Sequence, residues 1–274
     1  MTTIPVSKLH GAGNDFLVTT AEGVLGPAAV ALCDRHTGVG ADGLIVVTPG
    51  DNGADCEMLL FNADGSVAEM SGNGIRCLAW VAVREGLGDG KRLVVDTGAG
   101  RRELDLDVDP DTGELRAATV EMGPITFEPN QIPVEVASPF DLEATFHGVT
   151  YRGDAVGVGN PHLVLFVDDP ETARVVQHGP RLEHDERFPK RTNVEFLAVT
   201  GPDELTLRVW ERGVGETLSC GTGVCAAAAA AHRRDLVGNS VTVHVPGGVH
   251  TVELGDTVRL SGPVAHVFDT EVML

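Results

Sequence analysis

Residues 68–80 read AEMSGNGIRCLAW and residues 216–231 read ETLSCGTGVCAAAAAA. Each carries x-Gly-x-Gly at the head of an apolar, alanine-containing run, with Ser71 before the first glycine in one and Cys220 in the other. Whether this is one motif used twice decides the fold, because a long-period repeat makes each half of a 274-residue chain a structural unit. Two flanking blocks answer the question. GNDFLV at 13–18 matches GNPHLV at 159–164, an offset of 146, and VGADGLIVV aligns with KRTNVEFLAV so that Gly43 falls on Asn193, an offset of 150. FNADGSVAEMSGNG from Phe61 matches VWERGVGETLSCGTG around Trp210, so that Asn62 falls on Glu211 and Ser71 on Cys220, both at 149. Three blocks in one order at nearly constant spacing define two equivalent halves. A pseudo-twofold pair of this kind is expected to leave a cleft suited to a small ligand, with Ser71 and Cys220 facing each other across it.

The texture around these blocks is short β-branched runs cut by Gly, Pro, Asn and Asp, such as DGLIVVT, HLVLFVDD, ELTLRVWERG and SVTVHVPGG. Several alternate apolar and polar residues as half-buried strands do. Helical patterns are few: Pro27–His36, Asn73–Arg84, Glu171–His178 and Thr222–Arg233. The expected class is mixed α/β with mostly antiparallel strands.

A net charge of −20 excludes a basic nucleic-acid surface and docking on anionic lipid. No apolar run is long enough for a membrane helix, and the start, MTTIPVSKLHGAGNDF, has no secretion-signal pattern. Five cysteines, an odd number, fit a reducing cytoplasm better than a disulfide framework. GVGADG at 38–43 fits G-x-G-x-x-G but leads into the strand pattern LIVVT, so a dinucleotide site is not expected. The ten histidines show no metal-binding spacing. Cys33, Cys56, Cys77 and Cys225 read as small buried residues.

The paired motif has definite chemistry. Two glycines permit a tight loop, a helix begins, and its first amides and dipole favour an anion. The same dipole is expected to lower the pKa of Cys220. Two such helix starts aimed at one carboxylate would stabilise the enolate-like species left when an α-proton departs. An acid/base group on each face of the α-carbon then inverts its stereochemistry without a cofactor. Glu211 and Arg212 offer a partner for an ammonium group and for a second carboxylate. Asn14, Asn62, Asn160 and Asn193 sit in the repeat blocks and could orient such groups.

HGAGNDF, FNADGS, GNGIRC, GNPH, RTNVEF and WERGVGETLSCGTG resemble diaminopimelate epimerase, in order, from Lys8 to the C-terminus. The resemblance implies interconversion of LL- and meso-diaminopimelate for lysine and peptidoglycan synthesis, without PLP or metal. It also implies two similar domains, each a β-barrel around a central helix, in a cytoplasmic homodimer. Their expected bounds are 1–118, with a C-terminal strand 264–274 returning to it, and 119–263. By position, the resemblance makes Cys220 one of two acid/base cysteines. The backbone of Gly72–Asn73 and Gly221–Thr222 would hold the reacting carboxylate, and Glu211 the adjacent amine. Arg212, Asn62, Asn160 and Asn193 would read the distal amino-acid end, with Asn14 lining the pocket. Two positions depart from the family pattern. Gly43 stands where many members have Gln, and Ser71 stands in place of the second cysteine. A hydroxyl is a far weaker acid than a thiol and normally needs an adjacent base. The open readings are a Ser/Cys epimerase, a serine introduced to trap a complex, a racemase, epimerase or dehydratase for another amino acid such as hydroxyproline, or a non-catalytic amino-acid-binding paralogue.

Overall fold

The structure is a computed structural model that describes residues 3–274. Its contacts divide it into two compact units. One runs up to Glu121 and takes back Ser261–Leu274; the other is Met122–Leu260.

In the first unit, β1 (Thr3–Gly11) and β2 (Asn14–Thr19) form a hairpin over Ala12 and Gly13. Gly13 takes φ 81° there, a left-handed conformation that glycine adopts without a Cβ clash. Helix α1 (Gly26–Cys33) crosses to β3 (Gly43–Pro49), which lies parallel to β2. Strand β4 (Cys56–Asn62) returns antiparallel on β3. Its other edge is shared between the two-residue β5 (Val67–Ala68) at Leu60–Phe61 and the parallel β6 (Arg92–Thr97) at Cys56–Glu57. Between β5 and β6 runs α2 (Gly72–Arg84), after which β7 (Gly100–Val108) and β8 (Leu115–Gly123) continue as an antiparallel meander.

The second unit repeats this scheme. Strand β9 (Leu142–Phe146) pairs with β10 (Val149–Gly157), and β10 with β11 (Pro161–Phe166), both antiparallel. Helix α3 (Val175–Glu183) crosses to β12 (Asn193–Gly201), parallel to β11. Strand β13 (Glu204–Glu211) is antiparallel to β12 and carries β14 (Gly215–Thr217) at one end of its far edge. After α4 (Gly221–Arg233), β15 (Ser240–Val245) pairs in parallel with the start of β13, and β16 (Gly248–Glu253) with β15. The chain ends through β17 (Val258–Pro263) and β18 (Ala265–Met273); β18 lies antiparallel on β1, as β9 does on β10. Both parallel pairs of the first unit therefore recur at matching places in the second. The mixed, mostly antiparallel α/β class expected from the strand texture is the one observed.

Each unit wraps its sheet around one 13-residue helix. Helix α4 touches β10 to β13, β15 and β16, and α2 touches β1 to β4. Ala226–Ala231 are all buried among Val156, Leu197, Leu207, Val243 and Leu260. A helix enclosed on all sides needs short side chains for the strands to approach, which is why this run is alanine. Among the described residues no helix is long and apolar enough to cross a membrane.

Two helix limits differ from expectation. Helix α1 stops at Cys33, short of His36, because Asp34 Oδ1 accepts the N–H groups of His36 (2.8 Å) and Thr37 (2.6 Å) and closes a turn instead. Helix α3 begins at Val175, four residues after Glu171, since Asp169 Oδ1 holds the Glu171 N–H at 2.9 Å. It then continues through Pro180 to Glu183. Packing overrides the lost hydrogen bond: Gly179 lies so close to Trp210 that a Cβ would sit 2.6 Å from the indole, and Trp210 Nε1 donates to Glu183 Oε2 at 2.8 Å.

Candidate active site

Cys220 is the N-cap of α4, extended at φ −123°, and Ser71 is the N-cap of α2, extended at φ −140°. The two caps differ in one respect. Ser71 Oγ accepts the Gly74 N–H at 3.0 Å, whereas Cys220 makes no side-chain cap bond. The first turn of α4, Gly221 to Gly223, therefore presents amides without an intrahelical partner, the arrangement that receives an anion. Gly223 cannot carry a side chain, for its Cβ would lie 2.6 Å from Glu195 Oε1.

The Cys220 thiol is buried, and its pKa is raised well above the usual thiol value. Burial is the main cause; the negative charges of Glu211 and Glu195 add to it. This corrects the expectation that the helix start lowers it: desolvation and two nearby carboxylates outweigh the dipole. The Glu211 carboxyl is itself raised, first by burial, while the nearby Cys220 and Thr217 side chains pull the other way.

Behind the thiol lies a row of polar groups. Thr222 Oγ1 is 3.5 Å from Cys220 Sγ and receives Asn160 Nδ2 at 3.3 Å. Asn160 Oδ1 is 2.9 Å from His162 Nε2, and His162 Nδ1 is 2.7 Å from Glu195 Oε1. His162 and Glu195 are fully buried, and among the described residues Glu195 Oε2 has no hydrogen-bond partner. Neither His162 nor Glu195 was singled out by motif reading. The signal was in the repeat: His162 falls on Phe16 and Glu195 on Ile45, a buried polar pair where the first half has an apolar one. The strand registers agree, with Phe16 opposite Gly43 and His162 opposite Asn193. A Cβ on Gly74 would meet Ile45, just as one on Gly223 would meet Glu195.

The start of α2 is backed by positive charge instead. Arg76 is fully buried; its Nη1 donates to Gly72 O (2.9 Å), its Nη2 to Asn73 Oδ1 (2.5 Å) and its Nε to Pro263 O (3.3 Å). Asn73 Nδ2 reaches Asn14 Oδ1 at 3.3 Å, and Asn14 Nδ2 donates to Asp42 Oδ2 at 2.6 Å. Arg35 bridges Asp42 and Asp15, and Lys8 donates to Asp15 and to Gly40 O. Burial alone would raise the Asp15 pKa, but hydrogen bonds from Arg35 and Lys8 prevail and hold it at about 2. A depressed carboxyl stabilises the fold above its unfolded pKa, near ~3.9, and loses that contribution as pH falls through its folded value. The parent should therefore lose about 2 kcal/mol from this group between about pH 4 and pH 2. Asp15→Asn should be less stable at neutral pH yet flatter across that window in urea unfolding; equal slopes for both proteins would refute the assignment.

The remaining candidates are placed as follows. Asn193 is buried with its amide turned to backbone: Oδ1 accepts the Arg212 N–H at 2.9 Å and Nδ2 donates to Pro161 O at 3.0 Å. It thus fixes the strand end that presents Glu211 and Arg212. The Arg212 side chain is exposed and donates to Lys190 O at 3.2 Å. Asn62 is exposed and donates to Ser66 Oγ at 3.0 Å, within its own turn. Asn14, Gly72 and Asn73 gather at the start of α2; Asn160, Glu211, Gly221 and Thr222 gather at the start of α4. Gly43 cannot accept a side chain unchanged, since a Cβ would lie 2.7 Å from Phe61 O. Among the described residues, the acidic group Asp51, Glu57 and Asp96 could approach a metal ion, but Asp96 is already bridged by Arg101.

Solved structures share this architecture. A phenazine biosynthesis protein of the PhzF family from Bacillus anthracis superposes with TM-score 0.74 over 100% of both chains at 16% identity. A hydroxyproline epimerase from Agrobacterium vitis gives 0.68 over 99% of this chain and 91% of that one at 18% identity. These likenesses establish the fold class: a doubled, sheet-wrapped helix shared by proteins of little sequence similarity. Sequence narrows it further. The profile of the Diaminopimelate epimerase family matches residues 6–128 and 154–266. Diaminopimelate epimerase from Pelotomaculum thermopropionicum is 42% identical over 97% of each chain, and that from Moorella thermoacetica 43% identical over 95% of this chain and 96% of its own. The chain belongs to the diaminopimelate epimerase family.

Proposed function

We infer that the chain is an isomerase that interconverts LL-2,6-diaminopimelate and meso-diaminopimelate. The observation that carries this is a family match along nearly the whole chain, joined to a buried thiol at a helix start beside the half-buried Glu211 carboxylate. In this reading the amides at the starts of α2 and α4 hold the carboxylate of the reacting centre. Glu211 binds its ammonium group. Cys220 and Ser71 exchange the α-proton, one for each face, and no cofactor is required because the helix starts stabilise the enolate-like intermediate. Arg212, Asn62, Asn160 and Asn14 serve the rest of the substrate, and Asn193 positions Arg212. Substrate then activates its own base: an ammonium group on Glu211 cancels part of the field that keeps Cys220 protonated. The reaction belongs to lysine biosynthesis, in the cytoplasm. The exposed Val267, Phe268 and Met273 of β18 favour a homodimer.

Ser71 supports a second reading, in which the chain racemises, epimerises or dehydrates another amino acid, dehydration needing a base on the Cys220 face alone. Solvent deuterium incorporation from each diaminopimelate isomer separates the two. The isomer presenting its α-hydrogen to Cys220 should exchange faster than it inverts, and both isomers should yield inverted product. Exchange with no inverted product from either isomer would defeat the epimerase reading.

A further inference from the structure

Glu183 closes helix α3 with a buried carboxyl group on which the turn bearing Glu211 and Arg212 converges. Its Oε2 accepts the Trp210 indole N–H at 2.8 Å, and its Oε1 accepts the backbone N–H of Gly213 at 2.9 Å. The two donors bracket Glu211 and Arg212 in the chain. Gly213 takes φ 77°, a left-handed conformation open to glycine, and the Val214 N–H closes the turn on Glu211 O at 3.1 Å. Glu183 also holds the segment on which the Arg212 side chain rests. The Thr192 N–H donates to Glu183 O at 3.2 Å, Arg191 Nη1 donates to Oε1 at 3.3 Å, and Arg212 Nη1 donates to Lys190 O at 3.2 Å. One residue thus ties both the turn 211–214 and the segment 190–192 to the end of α3.

We propose that Glu183 orders the turn 211–214 in the free protein, through Trp210 and Gly213, so that Glu211 and Arg212 stand in place before a substrate arrives. Glu183 is a positioning residue; the proposal rests on Glu211 and Arg212 being the substrate-binding pair, as inferred above. Two observations set this contact apart from ordinary packing. Burying a carboxyl group is unfavourable unless hydrogen bonds compensate it. Burial alone would raise the Glu183 pKa, but the Trp210 and Gly213 N–H groups prevail and hold it below the usual carboxyl value, so the clamp is an anion at neutral pH. The first unit, in turn, fills the matching places without charge. The last residue of α1 is Cys33, Phe61 falls on Trp210 at the offset of 149, and both belong to one apolar cluster. The fold therefore needs no carboxylate at the end of this helix; the clamp occurs in the unit whose turn carries Glu211 and Arg212, where the other carries Asn62 and Ala63. A turn that must be ordered by its ligand weakens binding, and once occupied it leaves the chemical step as it was.

The test combines steady-state kinetics on both diaminopimelate isomers with hydrogen exchange of the peptide containing Gly213, read by mass spectrometry on the free protein. Glu183→Gln keeps the shape of the side chain but leaves one of the two donors facing an amide N–H. It should raise KM about tenfold for both isomers, with kcat within about twofold of the parent. Exchange at Gly213 should quicken in the free variant and slow again under saturating substrate. Trp210→Phe, which installs the first unit's own residue and keeps a ring against Gly179, removes one donor and leaves Glu183 charged. It should raise KM less, by about threefold, and E183Q/W210F should be no worse than Glu183→Gln alone, since both variants break one clamp. A merely structural role would give fewer folded molecules, that is, a lower kcat at unchanged KM; that result would overturn the proposal, as would KM effects that multiply in the double variant. Should Glu183→Gln not fold, an unchanged KM in Trp210→Phe would overturn it as well. A parent that turned over neither isomer would defeat the functional reading instead, and unaltered exchange at Gly213 in both variants would independently defeat the clamp.

Discussion

Cys220→Ser should abolish measurable interconversion of the two diaminopimelate isomers, a loss of at least about 10³-fold in kcat, while making the protein slightly more stable. The two effects have one origin. The α4 start lacks a side-chain cap, whereas Ser71 caps α2 through Gly74 N–H at 3.0 Å. Serine at 220, on the same extended backbone, should cap the Gly223 N–H and add about 1 kcal/mol. It would also place a very weak acid beside Glu211 and Glu195, whose charges already push the native thiol up. An alkoxide there would be repelled by both carboxylates. Thermal melting and steady-state kinetics on one preparation test both halves of the expectation. Near-parent turnover in the variant would remove Cys220 from the reaction.

What the sequence disclosed and what it hid follow from the range of the interactions concerned. The doubling of strands and helices was legible because it is written as residue identity at a constant offset: Asn62 on Glu211, Ser71 on Cys220. The limits of α1 and α3 were not, because an Asp34 turn and the contact of Gly179 with Trp210 decide them, and neither is a periodic signal. At the site, motif reading reached the residues beside the glycines and missed those beneath them. His162 and Glu195 are 33 residues apart and meet only because β11 and β12 run parallel. Arg76 sits in plain view within GNGIRC, yet its burial behind Gly72 depends on the surrounding sheet. The direction of the Cys220 pKa is hidden for the same reason: the helix dipole is visible in the sequence, and the depth of burial is not.

Ser71→Cys should raise kcat by about tenfold or more, and Ser71→Ala should reduce it as severely as Cys220→Ser. The start of α2 differs electrostatically from the start of α4. The Arg76 guanidinium is bonded to the carbonyl of Gly72, the residue after Ser71, whereas Glu195 and Glu211 stand against Cys220. Negative charge at position 71 is therefore favoured, and the Gly74 N–H that Ser71 accepts favours it further. That is how a hydroxyl could serve here at all. A thiol on the same backbone needs no such help and should reach its anion far more readily. It also has room, since position 74 is glycine, as position 223 is beside Cys220. The cost is a weaker cap, a loss of up to about 1 kcal/mol that melting would register. Deuterium exchange supplies the decisive comparison. In the parent, wash-in should outrun inversion from the isomer whose α-hydrogen faces Cys220; in Ser71→Cys the two rates should converge. A faster enzyme with undiminished asymmetry, or a slower enzyme, would show that Ser71 is not the second proton-transfer group and that this step belongs to some other residue or to water.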